Sequence, residues 1–180
     1  CSYNISLELH DGNNLIEFNV FPIDLDILPE CVVTVIGEGV AVSHLGNGVW
    51  VGSLQEFNCH SGYWIKAVDD GCTIEYTGDE TCPTDGYVLH PGNNLISYPC
   101  FLPSSLGNTI GEEYTEGIIG VIGEGVAATN INGNWVGSLE SFNPNGGYWM
   151  VLSDSLDFGF NCPEDVTERF VIKEIKTIPE

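Results

Sequence analysis

Apolar and polar positions alternate along most of the chain, and long 3.6-residue periodicities are lacking, so strands are the expected elements. Ile5-Ser6-Leu7-Glu8-Leu9 alternates, as does the segment around Tyr87-Val88-Leu89. Strands are expected at 15–20 and 95–101, with Gly12-Asn13-Asn14 and Gly92-Asn93-Asn94 read as turns before them. An irregular segment with Pro22 and Pro29, or Pro103, follows, and 104–110 is the one place where a helical turn is expected. The apolar runs 31–36 and 118–122 read as buried strands that bend at Gly-Glu-Gly into strands at 40–43 and 126–129. Asn47-Gly48 and Asn132-Gly133 are tight-hairpin dipeptides, leading into strands that begin at Trp50 and Trp135. The segments 62–68 and 147–152 are the most strand-like, and 73–76 and 156–160 close each set. About six or seven short strands per set, punctuated by turns, is the pattern of a small antiparallel sandwich or barrel.

The two sets are one unit written twice. Leu9-His10-Asp11-Gly12-Asn13-Asn14-Leu15-Ile16 returns as Leu89-His90-Pro91-Gly92-Asn93-Asn94-Leu95-Ile96. Val35-Ile36-Gly37-Glu38-Gly39-Val40-Ala41 returns from Val121, Trp50-Val51-Gly52-Ser53-Leu54 from Trp135, and Gly62-Tyr63-Trp64 from Gly147. The fold class expected is therefore all-β, with two tandem antiparallel sandwich or barrel units related by internal duplication. Unit 1 is placed at residues 1–81 and unit 2 at 82–163. A tail at 164–180 is left as an extra strand, a short helix or a linker. The polar, turn-rich stretch 77–86 is the expected hinge. A unit of this size buries only about 60% of its unfolded surface, so support from disulfides, from the neighbouring unit or from assembly is expected.

Charge changes the picture more than composition does. Against 26 acidic residues stand four basic ones, Lys66, Arg169, Lys173 and Lys176, giving a net charge of −22. Such a surface repels phosphate backbones and anionic membranes, which argues against nucleic-acid binding. No apolar run approaches the roughly 20 residues of a membrane-spanning helix. Seven cysteines, Cys1, Cys31, Cys59, Cys72, Cys82, Cys100 and Cys162, suit an oxidising compartment. Cys59 and Cys72 are both replaced in the second copy, by Pro144 and Asp157, so a Cys59–Cys72 disulfide is expected; the connectivity of Cys31 and Cys100 is open. Cys1, Cys82 and Cys162 recur at unit spacing and read as boundary markers, which would make the chain a segment of a longer array; Cys1-Ser2 also suits a lipidated mature terminus. No signal peptide is visible, so a mature or trimmed product is expected.

Several features are candidates for chemistry. Trp50, Tyr63, Trp64, Trp135, Tyr148 and Trp149 either fill the two cores or present flat platforms that stack on sugars. Neighbours in Gly-Tyr-Trp face opposite sides of a strand, so one ring points inward and one outward. Glu38 and Glu124, each between glycines, read as tight bends rather than as a phosphate cradle. Acidic clusters can supply oxygens for calcium, and Asp79, Glu80 and Asp85 are the best candidates because an ion in the hinge would stiffen one unit against the next. His10 and His90 are repeat equivalents, which favours a shared structural hydrogen bond over catalysis. Cys59-His60 with Cys72 lacks the usual zinc spacing. No GxSxG elbow or HExxH motif occurs, no paired-carboxylate spacing is present, and no enzyme activity is expected.

The blocks Gly92-Asn93-Asn94-Leu95-Ile96-Ser97-Tyr98-Pro99 and Gly146-Gly147-Tyr148-Trp149 resemble a repeat of secreted and cell-surface proteins. That repeat begins like G-W-N-L-I-S-L-P and ends like G-x-G-Y-W. The Gly-Glu-Gly-Val-Ala and Trp-Val-Gly-Ser-Leu blocks are similar to its versions from marine bacteria and their phages. The resemblance covers both copies and not the tail, and the chain departs from it at Asn93, where that repeat usually has Trp, and in its cysteine content. It implies an extracellular module in surface or virion-associated structural proteins and supplies no catalytic residue. The expectation is a non-enzymatic subunit of a fibre, surface layer or virion appendage that self-associates into a homopolymer. The alternative is a carbohydrate-binding adhesin whose partners are surface glycans.

Overall fold

The computed structural model describes residues 2–164. Cys1 and the tail from residue 165, with the roles expected of them, lie outside the described residues. Unit 1 supplies β1 (Tyr3–Leu9), β2 (Gly12–Glu17), β3 (Val20–Phe21), β4 (Val32–Gly37), β5 (Val40–His44), β6 (Trp50–Gly52), β7 (Gly62–Ala67), β8 (Cys72–Gly78) and β9 (Glu80–Thr81). Unit 2 supplies β10 (Tyr87–Leu89), β11 (Gly92–Ile96), β12 (Ser104–Ser105), β13 (Ile118–Gly123), β14 (Val126–Ile131), β15 (Asn134–Gly137), β16 (Ser141–Phe142), β17 (Tyr148–Leu152) and β18 (Leu156–Phe158). The described residues are almost all β and antiparallel, with one α-helical turn at Leu106–Thr109, capped by the Ser105 hydroxyl, and two 3-10 turns at Leu25–Ile27 and Glu112–Tyr114.

Each unit is built on a five-stranded sheet, in the order β2-β7-β4-β5-β6 or β11-β17-β13-β14-β15. A separate antiparallel pair, β1–β8 or β10–β18, covers its inner face. Alternation decides which side chains lie between these layers. In unit 1, Leu7, Val35, Ile65, Ile74 and Tyr76 meet there with Phe18; in unit 2, Val121, Phe142, Met150 and Phe158 do so with Tyr98. The matching cores follow from the matching sequence.

The hairpin signals act locally. Asn47-Gly48 and Asn132-Gly133 both take positive φ, as a tight hairpin requires. Glu38-Gly39 and Glu124-Gly125 form the two-residue turns between β4 and β5 and between β13 and β14, with Gly39 and Gly125 at φ near +70°. The turns expected at 12–14 and 92–94 are shorter than anticipated. The chain bends at Asp11 and Pro91, Gly12 and Gly92 follow at positive φ as the first strand residues, and the asparagines after them are already extended. The strands expected to run on to residues 20 and 101 stop at Glu17 and Ile96, where the backbone turns to the sister unit.

Three disulfides staple the described residues: Cys31–Cys72, Cys59–Cys82 and Cys100–Cys162, with Cα separations of 6.4, 5.2 and 5.4 Å. The expected Cys59–Cys72 bond is not formed. Cys59 precedes the start of β7 and Cys72 follows its end, so a strand of six residues, about 20 Å long, lies between them. The Cys31 carbonyl accepts from Val68 N–H at that far end, which brings Cys31 to Cys72. Cys82 is held on unit 1, bridged to Cys59 and donating its N–H to Asn19 O. These bonds fit an oxidising, extracytoplasmic setting, and no helix among the described residues is long and apolar enough to cross a membrane.

Candidate functional site: the interface between the repeats

Three of the four repeated motifs, Leu-His-x-Gly-Asn-Asn, Gly-Glu-Gly and Gly-Tyr-Trp, meet where the units pair. At the β4–β5 tip, Glu38 reaches across to unit 2; at the β13–β14 tip, Glu124 reaches back to unit 1. Glu124 Oε2 accepts the Leu15 backbone N–H at 2.7 Å and its Oε1 faces His10 Nε2 at 2.5 Å. Glu38 does the same with Leu95 N–H at 2.8 Å and His90 Nε2 at 2.5 Å. The contact is reciprocal, so the units are related by an approximate two-fold axis, as in an isologous dimer.

Each histidine is oriented by its own turn. Asn14 Oδ1 accepts His10 N–H and Asn14 Nδ2 donates to His10 O, both at 2.9 Å, and Asn94 repeats this with His90. The other ring nitrogen, Nδ1, faces the carbonyl of Asp11 or Pro91 at 2.7 or 2.8 Å. Both ring nitrogens thus meet acceptors, and only imidazolium donates from both. The backbone carbonyl first, and the glutamate next, hold both histidines above the usual imidazole value.

Nearer the axis the backbones pair directly. Gly147 N–H donates to Leu15 O and Glu17 N–H to Asn145 O, both at 3.1 Å. On the sister side Ser97 N–H donates to His60 O at 3.3 Å. A Cβ on Gly62 or Gly147 would stand 2.7 or 2.6 Å from the carbonyl of Ile96 or Ile16 in the opposite unit, so the close approach requires glycine.

Here the two copies diverge. Glu17 is fully buried; its Oε1 accepts Asn145 N–H at 3.1 Å, while its Oε2 has no partner. Burial pushes this carboxyl well above the usual carboxylate value, against a smaller opposing effect of the Asn145 N–H. The equivalent residue, Ser97, donates its hydroxyl to Cys59 O at 2.5 Å and contacts Tyr87 OH at 2.7 Å. Ser97, His60 and Glu17 are the residue types of a nucleophilic triad, but no hydrogen bond joins the His60 ring to Ser97. His60 Nε2 is buried without a partner, and the ring packs on Tyr87 at 4.3 Å. A nucleophile–base pair is therefore not assembled. Two open clefts lie elsewhere, one beside Asn4, Asp24 and Tyr76 and one beside Thr115, Asn130 and Ser153.

The six aromatics divide as strand alternation requires. Tyr63 and Tyr148 are buried, and each hydroxyl accepts a loop N–H, from Asn58 or Asn143. Trp50 and Trp135 are half-buried against the cores, with Trp50 stacked on His44 at 4.6 Å. Trp64 and Trp149 lie half-buried on the opposite, outer faces. Among the described residues no three His, Cys, Asp or Glu side chains gather to hold an ion, so Asp79, Glu80 and Asp85 are not brought together as a calcium site. Sequence reasoning passed over Glu38 and Glu124 as bends. Their retention together with His10 and His90 was the available signal.

A comparison with family models, curated proteins and solved structures finds no match to the chain. The resemblance to secreted β-repeats accordingly rests on the motifs quoted for it.

Proposed function

We propose that the chain is a non-enzymatic structural subunit of an extracellular assembly, a fibre, surface layer or virion appendage, built from paired β-modules. The observation that carries this reading is the reciprocal Glu–His clamp, which spends the titratable residues of the repeated motifs on locking two units into one body. Three disulfides and an acidic surface support it, because both suit a durable particle outside the cell. The tail, residues 166–180, is the candidate donor segment: Arg169, Lys173 and Lys176 are cations for an acidic neighbour, and strand addition is a known route to filaments. Negative-stain microscopy and sedimentation of the full chain, beside a chain lacking 166–180, test this. Polymer that disappears on deletion supports the tail as donor. A full chain that stays monomeric at high concentration and moderate salt ends the reading.

A second reading is favoured by the half-buried Trp64 and Trp149 on the outer faces, which suit stacking on neutral sugars. A glycan array with Trp64→Ala and Trp149→Ala tests it: selective loss of binding with an intact fold supports the adhesin.

A further inference from the structure

Apart from Glu17, buried against the sister unit, the outer faces of the two five-stranded sheets are free of carboxylates. In unit 1 the register aligns Asn13, Lys66, Thr34, Ser43 and Val51 in one row across the face, and Leu15, Trp64, Ile36 and Ala41 in the next. In unit 2 the rows are Asn93, Val151, Gly120, Thr129 and Val136, then Leu95, Trp149, Ile122 and Ala127. A chain with 26 acidic residues places none in these rows. The carboxylates next to these rows, Glu38 and Glu124 at the turns and the buried Glu17 after Leu15 on β2, all face the sister unit.

These faces also expose apolar side chains at equivalent positions. Ile36 and Ile122 are 47% and 43% exposed, Val51 and Val136 56% and 55%, and Leu45 and Ile131 69% and 52%. Two of the pairs lie on or beside the edge strands β6 and β15, which carry no charge to discourage pairing. Exposed apolar side chains repeated at equivalent positions on both faces point to a contact surface.

Continuity identifies the partner. Leu15 and Leu95 begin the second rows and are buried, each with its tip near the backbone of the other unit's glycine, Gly147 or Gly62. One end of each face therefore already packs against a copy of the same repeat, and the exposed part is a direct continuation of that contact. Elsewhere the net charge drives copies apart, so a carboxylate-free face is where two chains can approach without like-charge contact.

We propose that the outer faces carrying Val51 and Val136 dock a second copy of this chain, the unit 1 face of one molecule against the unit 2 face of the next. Unlike pairing keeps the Lys66 side chains apart and leaves a free face at each end, so it propagates. The proposal rests on the reading that the chain assembles with itself, and deepens it by naming the surface.

The test is sedimentation velocity on the full chain, on Val51→Glu/Val136→Glu, on Leu45→Glu/Ile131→Glu and on the chain lacking 166–180, with circular dichroism confirming each fold. The result expected is self-association weakened at least about ten-fold by either glutamate pair. Association unchanged by both pairs but lost with the tail overturns the faces and leaves the structural-subunit reading standing. A full chain that is monomeric throughout overturns both. So does a monomer whose tryptophan fluorescence responds to a neutral oligosaccharide, which would give the faces to a glycan.

Discussion

Replacing Glu38 or Glu124 by alanine removes the one acceptor that each supplies to a buried backbone N–H of the other unit. Leu15 and Leu95 are 4% and 3% exposed, so water does not readily take over. A hydrogen bond to a charged group contributes about 1.5–3 kcal/mol, which sets the expected loss near 2 kcal/mol per substitution. The exposed His10 and His90 rings add nothing counted here. For a chain of this length, 2 kcal/mol lowers Tm by about 4–8 °C. The assay is thermal and urea unfolding followed by circular dichroism and tryptophan fluorescence, whose coincidence checks that the units unfold together. Glu112→Ala, on an exposed turn, is the control and is expected to fall within about 0.5 kcal/mol of the parent. The two-fold relation demands matched losses. If either clamp variant behaves like the control, or one costs several times the other, the reciprocal interface does not hold the units together. The double variant is informative too. A cost well below the sum means that the first loss already undocks the units.

Three further outcomes follow from the same contacts. The folded values of His10 and His90 lie above 6.5, so their contribution is fully present below pH 6.5 and lost as pH rises through the folded values; Glu17, also raised, has the same sign, with its contribution complete below about pH 4.5. Urea midpoints are expected to fall from pH 5 to pH 8, and His10→Gln/His90→Gln with Glu17→Gln to flatten that slope; a midpoint that rises over this range contradicts the assignment. Gly147→Val is expected to separate the units by placing a side chain against Ile16 O, seen as an increased radius of gyration in solution scattering, whereas Gly107→Ala, on the exposed helical turn with open space around it, leaves the radius unchanged. Removing the Cys31–Cys72 bond, which closes a separation of 41 residues, is expected to cost about 4 kcal/mol by loop entropy; a loss under 1 kcal/mol in denaturant unfolding would assign its effect elsewhere.

What the sequence made legible was what depends on near neighbours. Asn47-Gly48 and Asn132-Gly133 specify hairpins because few other residues accept their φ values, and Tyr63-Trp64 splits inward and outward because strand side chains alternate. The duplication then transferred each inference to the second copy. Contacts set by register over long separations were not legible. Cys72 was paired with Cys59 because both are missing from unit 2, but Cys31 is missing as well, replaced by Gly117, and only the position of β7 decides between them. Glu38 looked like part of a bend because its partners, His90 and Leu95, lie in the other repeat.

The divergence at the axis explains why the duplication is kept in one chain. Every clamp contact occurs twice, so two identical units could form those contacts as a dimer. The central side-chain contacts occur once each: the Glu17 carboxyl with Asn145 N–H, and the Ser97 hydroxyl with the carbonyl of Cys59. Two copies of unit 1 would bury two Glu17 carboxyls beside the axis, with His60 where Asn145 stands. Two copies of unit 2 would set Ser97, whose side chain is two bonds shorter, opposite Asn145, leaving the amide N–H that Glu17 now satisfies without that acceptor. Each unit therefore fits its sister better than itself, and linkage in one chain guarantees the correct pair. The symmetric contacts supply the geometry of docking, the asymmetric ones its specificity, and the outer faces remain free for contacts beyond the chain.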